Sequence, residues 1–164
     1  MQPLVVWAIL LVSTQHTMTF ADYKASLPKA QEQEDEILRY THVLAEAMRQ
    51  DYIQYSIRSH KRSIVNAENE VSVDYHAARL NDLLNGYCEI TFSVETARKF
   101  HKVWRNDGGS RSIAFFVDKK NGDVYKASST KAPAKGVRYN LLDDASREEA
   151  MSRADWAGSF LYIR

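Results

Sequence analysis

The longest periodic pattern in the chain has the period of a helix. Apolar residues recur every three or four positions between Lys29 and Ile64, a segment without internal Gly or Pro, and this spacing is typical of an amphipathic helix. The stripe comprises Ile37, Tyr40, Thr41, Leu44, Met48, Tyr52 and Tyr55, with Thr41 its weak member. Ser26 fits the N-cap position, with Pro28 in the first turn. The pattern predicts one long helix.

A second, shorter helix is predicted from Val71 to Asn85, where Val71, Tyr75 and Ala78 share one stripe. Gly86 follows at the position where a left-handed residue commonly ends a helix. We expect the two helices to pack together as a hairpin.

After Gly86 the apolar period changes to two, which indicates strands. Turn signals follow at residues 106–109 (NDGG) and at Asn121-Gly122, and both are typical of hairpins. Residues 98–127 are therefore predicted to form a three-stranded meander, preceded by one further strand. The predicted strands are Tyr87–Val94, Arg98–Arg105, Ser112–Asp118 and Asp123–Ala127.

The sequence pattern in the last part of the chain predicts a loop, a short helix and a final strand. The loop covers residues 128–138, and Ser146 fits the N-cap of a helix over 146–154, with Glu149 at the capping-box position. Phe160–Ile163 reads as the last strand. The fold class is α+β: an N-terminal helical hairpin packed on a small antiparallel β-meander, with a short C-terminal helix and a final strand.

The first residues stand apart from this pattern. Pro3–Val12 is an apolar run of ten, with no Lys or Arg before it. Three interpretations stay open: translation starts at Met18, a secretory signal is cleaved after Ala21, or the run is a short anchor or a packed strand. We divide the chain into an extension, residues 1–21, and one domain, residues 22–164, with a helical part over 22–86 and a sheet part over 87–164.

Composition narrows the class of protein. The chain has 164 residues, 45% hydrophobic and 26% charged, which excludes a disordered or collagen-like chain. A single cysteine excludes a disulfide framework. No apolar run reaches the roughly 18 residues of a membrane-spanning helix. We expect a cytoplasmic protein, with secretion by an N-terminal signal as the lesser alternative.

Charge is unevenly placed along the chain. The net charge is +1, but residues 98–138 hold eleven basic and three acidic residues, a surplus of +8, and the rest of the chain carries −7. Clustered Lys and Arg attract polyanions, chiefly phosphate backbones. Aromatic residues are interleaved in the same segment, and rings on an exposed sheet face stack on unpaired bases.

The sequence therefore suggests a surface for single-stranded nucleic acid on the basic sheet and loop. We expect Lys126, Lys131, Lys135 and Arg138 to hold phosphate, and Trp104 and Tyr139 to stack on bases. The opposing interpretation is that the rings belong to the core and that the acidic helices neutralise the basic segment within the fold. The alternative function is a protein-interaction module acting through the long helix, with a host or phage protein or a second copy as partner.

Catalytic and metal-binding patterns are weak. None of the five histidines pairs with another at metal-ligand spacing, and neither a Walker lysine motif nor a dinucleotide glycine fingerprint occurs. Cys88 is expected to be a buried, inert thiol. Asp143 and Asp144 adjoin a predicted helix start, where capping is favoured over catalysis. We predict no enzyme, no catalytic residue, no metal and no cofactor.

Residues 112–141 (SIAFFVDKKNGDVYKASSTKAPAKGVRYNL) resemble a signature of small bacteriophage-encoded proteins of uncharacterised function. The shared elements are DKKNGDVYKA, KAPAKGVRYNL and the final WAGSFLYIR, within about the last 65 residues. The helical half does not match. The resemblance implies a phage accessory protein acting in the host cytoplasm, and it transfers no site residues.

Overall fold

A computed structural model describes residues 19–162. The long helix, α1, spans Phe20–Val65. Its N-cap is Thr19, whose side chain and Asp22 form a reciprocal capping box. The predicted cap at Ser26 is therefore wrong, and Pro28 lies inside the helix rather than in its first turn. A complete capping box stabilises the earlier start, and the missing N–H of Pro28 removes only one helical hydrogen bond.

The second helix, α2, spans Glu70–Leu84 and is capped by Asn69. It packs beside α1 as the predicted hairpin, but no residue of α2 is buried. Gly86 has a φ of 88° directly after the Asn85 C-cap. The predicted end of the helix is confirmed, because this left-handed backbone favours glycine.

Five antiparallel strands follow in the spatial order β1-β2-β3-β4-β5, a simple meander. Val103 pairs with Phe115 but Trp104 pairs with Ile113, so Ala114 forms a bulge in β3. The meander is two strands longer than predicted, because the separately predicted first strand pairs with β2 and a short fifth strand follows the basic loop. The strands are β1 Ile90–Thr96, β2 Phe100–Asp107, β3 Ser110–Asp118, β4 Asp123–Lys126 and β5 Tyr139–Asn140.

The core lies between α1 and one face of this sheet. It joins four residues of α1, three of them from the predicted stripe, to alternate residues of β2, β3, β4 and β5, as the two periods require. The helix contributes Ile37, Leu44, Ala45 and Met48, and the sheet contributes Val103, Phe115, Val117, Val124 and Tyr139. The α+β class is therefore confirmed, and α1 packs on the sheet as predicted, whereas α2 packs on α1.

The other face of the sheet, the outer face, carries aromatic residues without a covering helix. Phe100 contacts the rings of Phe116 and Tyr125 edge-on, with centroids 5.8 and 6.1 Å apart. Lys102, on the same face, donates to the carbonyl of Thr130 in the basic loop, 3.3 Å away. Phe116 is fully buried, because its neighbours and this loop leave no open ring face.

The C-terminal part differs from prediction in two details. Helix α3 spans Asp144–Arg153, and its N-cap is Asp143 rather than Ser146, whose hydroxyl instead accepts from the backbone of Asn140. The predicted final strand is a 3₁₀ turn over Ser159–Leu161. Phe160 and Leu161 are both buried in the core, so the segment crosses the fold instead of extending the sheet.

The open interpretations of residues 1–18 lie outside the described part of the chain. At its edge, Thr19 caps α1 and Ala21 lies in its first turn, so the described helix begins two residues before the predicted domain boundary. Across residues 19–162, no helix combines the length and the apolar character that a membrane crossing requires.

Replacing Gly122 with alanine is expected to lower the free energy of unfolding by about 2–3 kcal/mol. Gly122 has a φ of 76°, and an added Cβ would lie 3.2 Å from Leu142 Cγ. Gly108→Ala is the matched control, because its φ is also positive but nothing lies within 4 Å. We expect about 1 kcal/mol for the control. Equal losses in urea unfolding would contradict the tight packing at Gly122.

Acid is expected to destabilise the protein through His101. This residue is 2% exposed, and burial, reinforced by nearby Lys119 and His42 and opposed by Glu34, lowers the pKa of its ring from 6.5. The unfolded chain therefore binds the proton more readily, so the stability is complete above pH 6.5 and is lost as the pH falls through the folded pKa. Between about pH 7.5 and pH 5, His101→Gln should lose less unfolding free energy than the unmodified chain. Equal losses in the variant and in the unmodified chain would contradict the role of His101.

Candidate functional site

A cleft lies between the sheet and the segment that follows α3. Its volume is about 220 Å³, and we call it the C-terminal cleft. Five side chains define its walls: Met48 of α1, Arg105 of β2, Lys126 of β4, and Trp156 and Tyr162 of the last segment. It therefore combines two cations and two aromatic rings in one concave surface.

Strand alternation places the two cations. Arg105 lies two positions after the core residue Val103, and Lys126 lies two positions after the core residue Val124. Residues two apart on a strand share a face, so both cations continue the helix-facing side of the sheet just beyond its apolar core. The cleft opens at this end of the sheet, where the charged side chains of Arg105 and Lys126 follow the apolar side chains of the core.

Hydrogen bonds fix the aromatic wall. The carboxylate of Asp155 accepts from the backbone of Ala157, Ser159 and Phe160, at 3.1, 3.0 and 2.9 Å. The backbone N–H of Trp156 donates to Asp51 of α1, 3.0 Å away. These bonds hold the segment in one conformation, so Trp156 and Tyr162 are positioned before any ligand arrives.

The Trp156 ring extends onto the long helix. Its centroid lies 5.4 Å from both Tyr52 and Tyr55. Burial raises the pKa of the Tyr52 hydroxyl, so this wall stays uncharged at neutral pH. The rings thus form a continuous apolar surface beside the cations.

The charge in the C-terminal cleft is not balanced. No Asp or Glu lines it, and the ion pairs found within residues 19–162 involve neither Arg105 nor Lys126. Instead, the Arg105 guanidinium lies 5.7 Å from the Trp156 ring, and Lys126 Nζ lies 4.5 Å from the Tyr162 ring. Such contacts stabilise a cation but leave its hydrogen-bond donors available.

One donor of Arg105 is buried without an acceptor. Its Nε has no hydrogen-bond partner among the described residues. An unsatisfied buried donor costs about 1–3 kcal/mol, and the guanidinium would recover this energy by turning Nε toward an anionic oxygen in the cleft. The arrangement suits a ligand that carries both negative charge and a flat ring.

A larger cavity, about 640 Å³, adjoins the cleft on the other side of Tyr162. Arg138 and Arg153 line it, and Glu149 pairs with Arg153 at 2.9 Å. Arg138 donates through Nε to the carbonyl of Leu161 at 2.6 Å and through Nη1 to that of Gly136 at 2.8 Å. Arg138 therefore ties the basic loop to the last segment, and Tyr162 lines both cavities, which we together call the groove.

The structure brings together only part of the predicted phosphate-binding set. Lys126 and Arg138 both approach Leu161–Tyr162. Lys131 and Lys135 are exposed on the loop and line neither the cleft nor the adjoining cavity. The four residues therefore do not converge on one anion, because the loop points its two middle lysines away from the groove.

Neither predicted stacking ring offers an open face. Trp104 is 7% exposed, its indole donates to Glu95 at 3.1 Å, and the Arg111 guanidinium lies 4.0 Å above its ring. Tyr139 is 6% exposed, stacks on Phe160 and donates its hydroxyl to the Phe160 carbonyl at 3.0 Å. Both rings are structural, and we replace them in the candidate site by Trp156 and Tyr162.

Sequence reasoning missed Arg105, Trp156 and Tyr162 as members of the site. The sequence does contain an indication for Arg105. A charged residue two positions after a core residue of a strand lies on the same face, at the edge of the core. Trp156 and Tyr162 gave no comparable signal. The sequence predicts a strand over Phe160–Ile163, whereas the path of the last segment across the fold depends on tertiary contacts to Asp51 and the core.

The model of a family of unknown function, DUF7717, matches residues 20–163. No curated protein and no solved structure matches the chain.

Proposed function

The chain belongs to this family of unknown function, and we propose that it binds single-stranded nucleic acid in the groove formed by the C-terminal cleft and the adjoining cavity. The observation that carries the proposal is the cleft without acidic residues, where Arg105 and Lys126 lie beside Trp156 and Tyr162. Phosphates would accept from the cations, and unpaired bases would stack on the rings.

Two features favour a single strand over a duplex. The rings lie in a concave cleft rather than on a protruding helix, and only unpaired bases expose the faces that stacking needs. The two walls of the cleft also lack the Asn and Gln side chains that read base edges. We therefore propose binding with little sequence preference.

Direct ion pairs involve few cations of the basic segment. Among the described residues, only two of its cations form ion pairs: Lys119 with Glu34 at 4.0 Å, and Arg111 with Glu95 at 3.8 Å. Only the first of these reaches the acidic helices. The positive potential of the segment thus stays available to a ligand, which supports the proposal.

The bacteriophage origin implied by the sequence resemblance is part of the proposal. In that setting the protein would meet phage or host nucleic acid in the host cytoplasm. It would act as a small accessory protein, since binding without sequence preference suits the coating or handling of exposed strands.

Tyr162→Ala tests the stacking part of the proposal. Tyr162 is 61% exposed, so its removal should leave the fold intact. The loss of one base–aromatic stack costs about 1–3 kcal/mol of binding free energy. We therefore expect the affinity for a fluorescent oligo-dT to fall at least about five-fold. Exposed Tyr87→Ala, after α2, is the matched control. An unchanged affinity for Tyr162→Ala in fluorescence anisotropy would overturn this assignment.

One observation favours the second candidate, a protein-interaction module. Phe20, Tyr23 and Leu27 are exposed on the first turns of α1, at spacings of three and four, so they form one apolar face. The predicted stripe itself is mostly covered by the sheet. If the oligonucleotide does not bind at low salt, this face becomes the better-supported site.

A further inference from the structure

A second basic pocket lies at the opposite end of the sheet. It occupies about 310 Å³ between the β1–β2 turn, the β3–β4 turn and α1, and we call it the turn pocket. Arg98 and Lys99 come from the first turn, and Lys119 and Lys120 come from the second. Lys99 and Arg105 are six residues apart along an extended strand, so the turn pocket lies about 20 Å from the C-terminal cleft.

The two acidic residues of the turn pocket are already engaged. Asp118 is buried, and its Oδ1 accepts from the backbone of Lys120 at 2.9 Å and of Asn121 at 3.3 Å. Glu34 lies 4.0 Å from Lys119 Nζ. Asp118 therefore serves the turn, and Glu34 offsets only one of the four cations.

Three cations remain without a carboxylate. Within residues 19–162, no ion pair includes Arg98, Lys99 or Lys120. Lys99 is held with its ammonium 5.1 Å from the Phe100 ring. Mutual repulsion among these charges is unfavourable in the unliganded protein, and a polyvalent anion would relieve it.

The frame of the turn pocket is rigid. The backbone N–H of Lys119 donates to the carbonyl of Lys99 at 3.1 Å, which joins the two turns. The side-chain amide of Gln33 donates to the carbonyl of Lys120, which joins the second turn to α1. Because the backbone is fixed from both sides, the two turns that carry the four cations are in position before a ligand binds, and binding then needs less ordering of the backbone.

We propose that the turn pocket binds a diphosphate group. Several cations around one cavity match a group with more than one negative charge, and the cavity is larger than a single phosphate needs. Ammonium and guanidinium donors form charge-assisted hydrogen bonds to phosphate oxygens. A nucleoside diphosphate and the 5′-diphosphorylated end of a nucleic acid both carry a group of this kind. The proposal does not rest on the function proposed for the C-terminal cleft.

Inorganic pyrophosphate is the first probe, titrated into the full chain in a low-salt buffer by isothermal calorimetry. We expect saturable binding with a Kd below about 1 mM and at least a ten-fold loss in the double variant Lys99→Gln/Lys120→Gln. The matched control is Lys131→Gln/Lys135→Gln, which removes the same charge from the exposed loop. Absent binding, or equal binding by both double variants, overturns the proposal.

Two further titrations distinguish the sources of the diphosphate. A nucleoside diphosphate that binds more tightly than pyrophosphate identifies a free nucleotide. A 5′-diphosphorylated oligonucleotide that binds more tightly than its 5′-hydroxyl counterpart, with the difference abolished by Lys99→Gln/Lys120→Gln, identifies a nucleic-acid end. Pyrophosphate binding without either preference supports a diphosphate as the ligand itself.

Discussion

Replacing Arg105 and Lys126 together by glutamine is expected to weaken binding of single-stranded nucleic acid about 100-fold at low salt. Each residue would give a phosphate at least one hydrogen bond to a charged group, worth about 1.5–3 kcal/mol, and two such losses amount to about 3 kcal/mol or more. The slope of log affinity against log salt should also flatten by about 1.4, because each lost phosphate contact on a single strand removes about 0.7.

The control for this experiment is Lys131→Gln/Lys135→Gln. It removes the same two charges from the same basic segment, but from an exposed loop that does not line the cleft. Long-range attraction to the polyanion should change alike in both variants, so any excess loss in the first belongs to the cleft. If the loop variant loses more affinity than the cleft variant, the sequence-based assignment to the loop is right and the cleft is not the site.

The second large effect concerns the core that positions the cleft. Phe115→Ala is expected to lower the free energy of unfolding by about 3–5 kcal/mol. Phe115 has no exposed surface, and its ring belongs to the cluster that joins α1 to β2, β3 and β4. A domain is stable by only about 5–15 kcal/mol, so the variant should unfold at a much lower urea concentration.

Phe20→Ala is the comparison for Phe115→Ala. It deletes the same side chain from a site that is 80% exposed, and surface substitutions of this kind usually change stability by about 0.5 kcal/mol or less. The measurement is urea unfolding followed by circular dichroism. A loss below about 1 kcal/mol for Phe115→Ala would show that the sheet and helix do not share the core described above.

Local pattern was enough to predict most of the fold. Helix period, strand alternation and the Asn121-Gly122 turn identified α1, α2 and the meander, because each depends on residues close in sequence. The wrong predictions concern segments whose conformation depends on contacts between residues far apart in sequence. The 3₁₀ turn at Ser159–Leu161 is set by burial of Phe160 and Leu161 in the core, which no local pattern encodes.

The site was less predictable than the fold for the same reason. Charge counting pointed to the region from residue 98 to 138, and two of its residues, Lys126 and Arg138, line the groove that we propose as the site. It could not tell that Trp104 lies under Arg111, or that Trp156 contacts Tyr52 more than a hundred residues away. Which aromatic ring has a face exposed to the cleft depends on how the last segment crosses the fold.

The most direct test of the nucleic-acid proposal is an NMR titration of the ¹⁵N-labelled full chain with oligo-dT. The reporters are the indole N–H of Trp156 and the Nε–H of Arg105, which line the cleft, and the internal reference is the indole N–H of Trp104, bound to Glu95 on the outer face. We predict that the Trp156 and Arg105 signals shift with saturation while the Trp104 signal stays in place. Shifts at Trp104 with unchanged Trp156 and Arg105 signals, or no shift at any of the three, would contradict a nucleic-acid site in the C-terminal cleft.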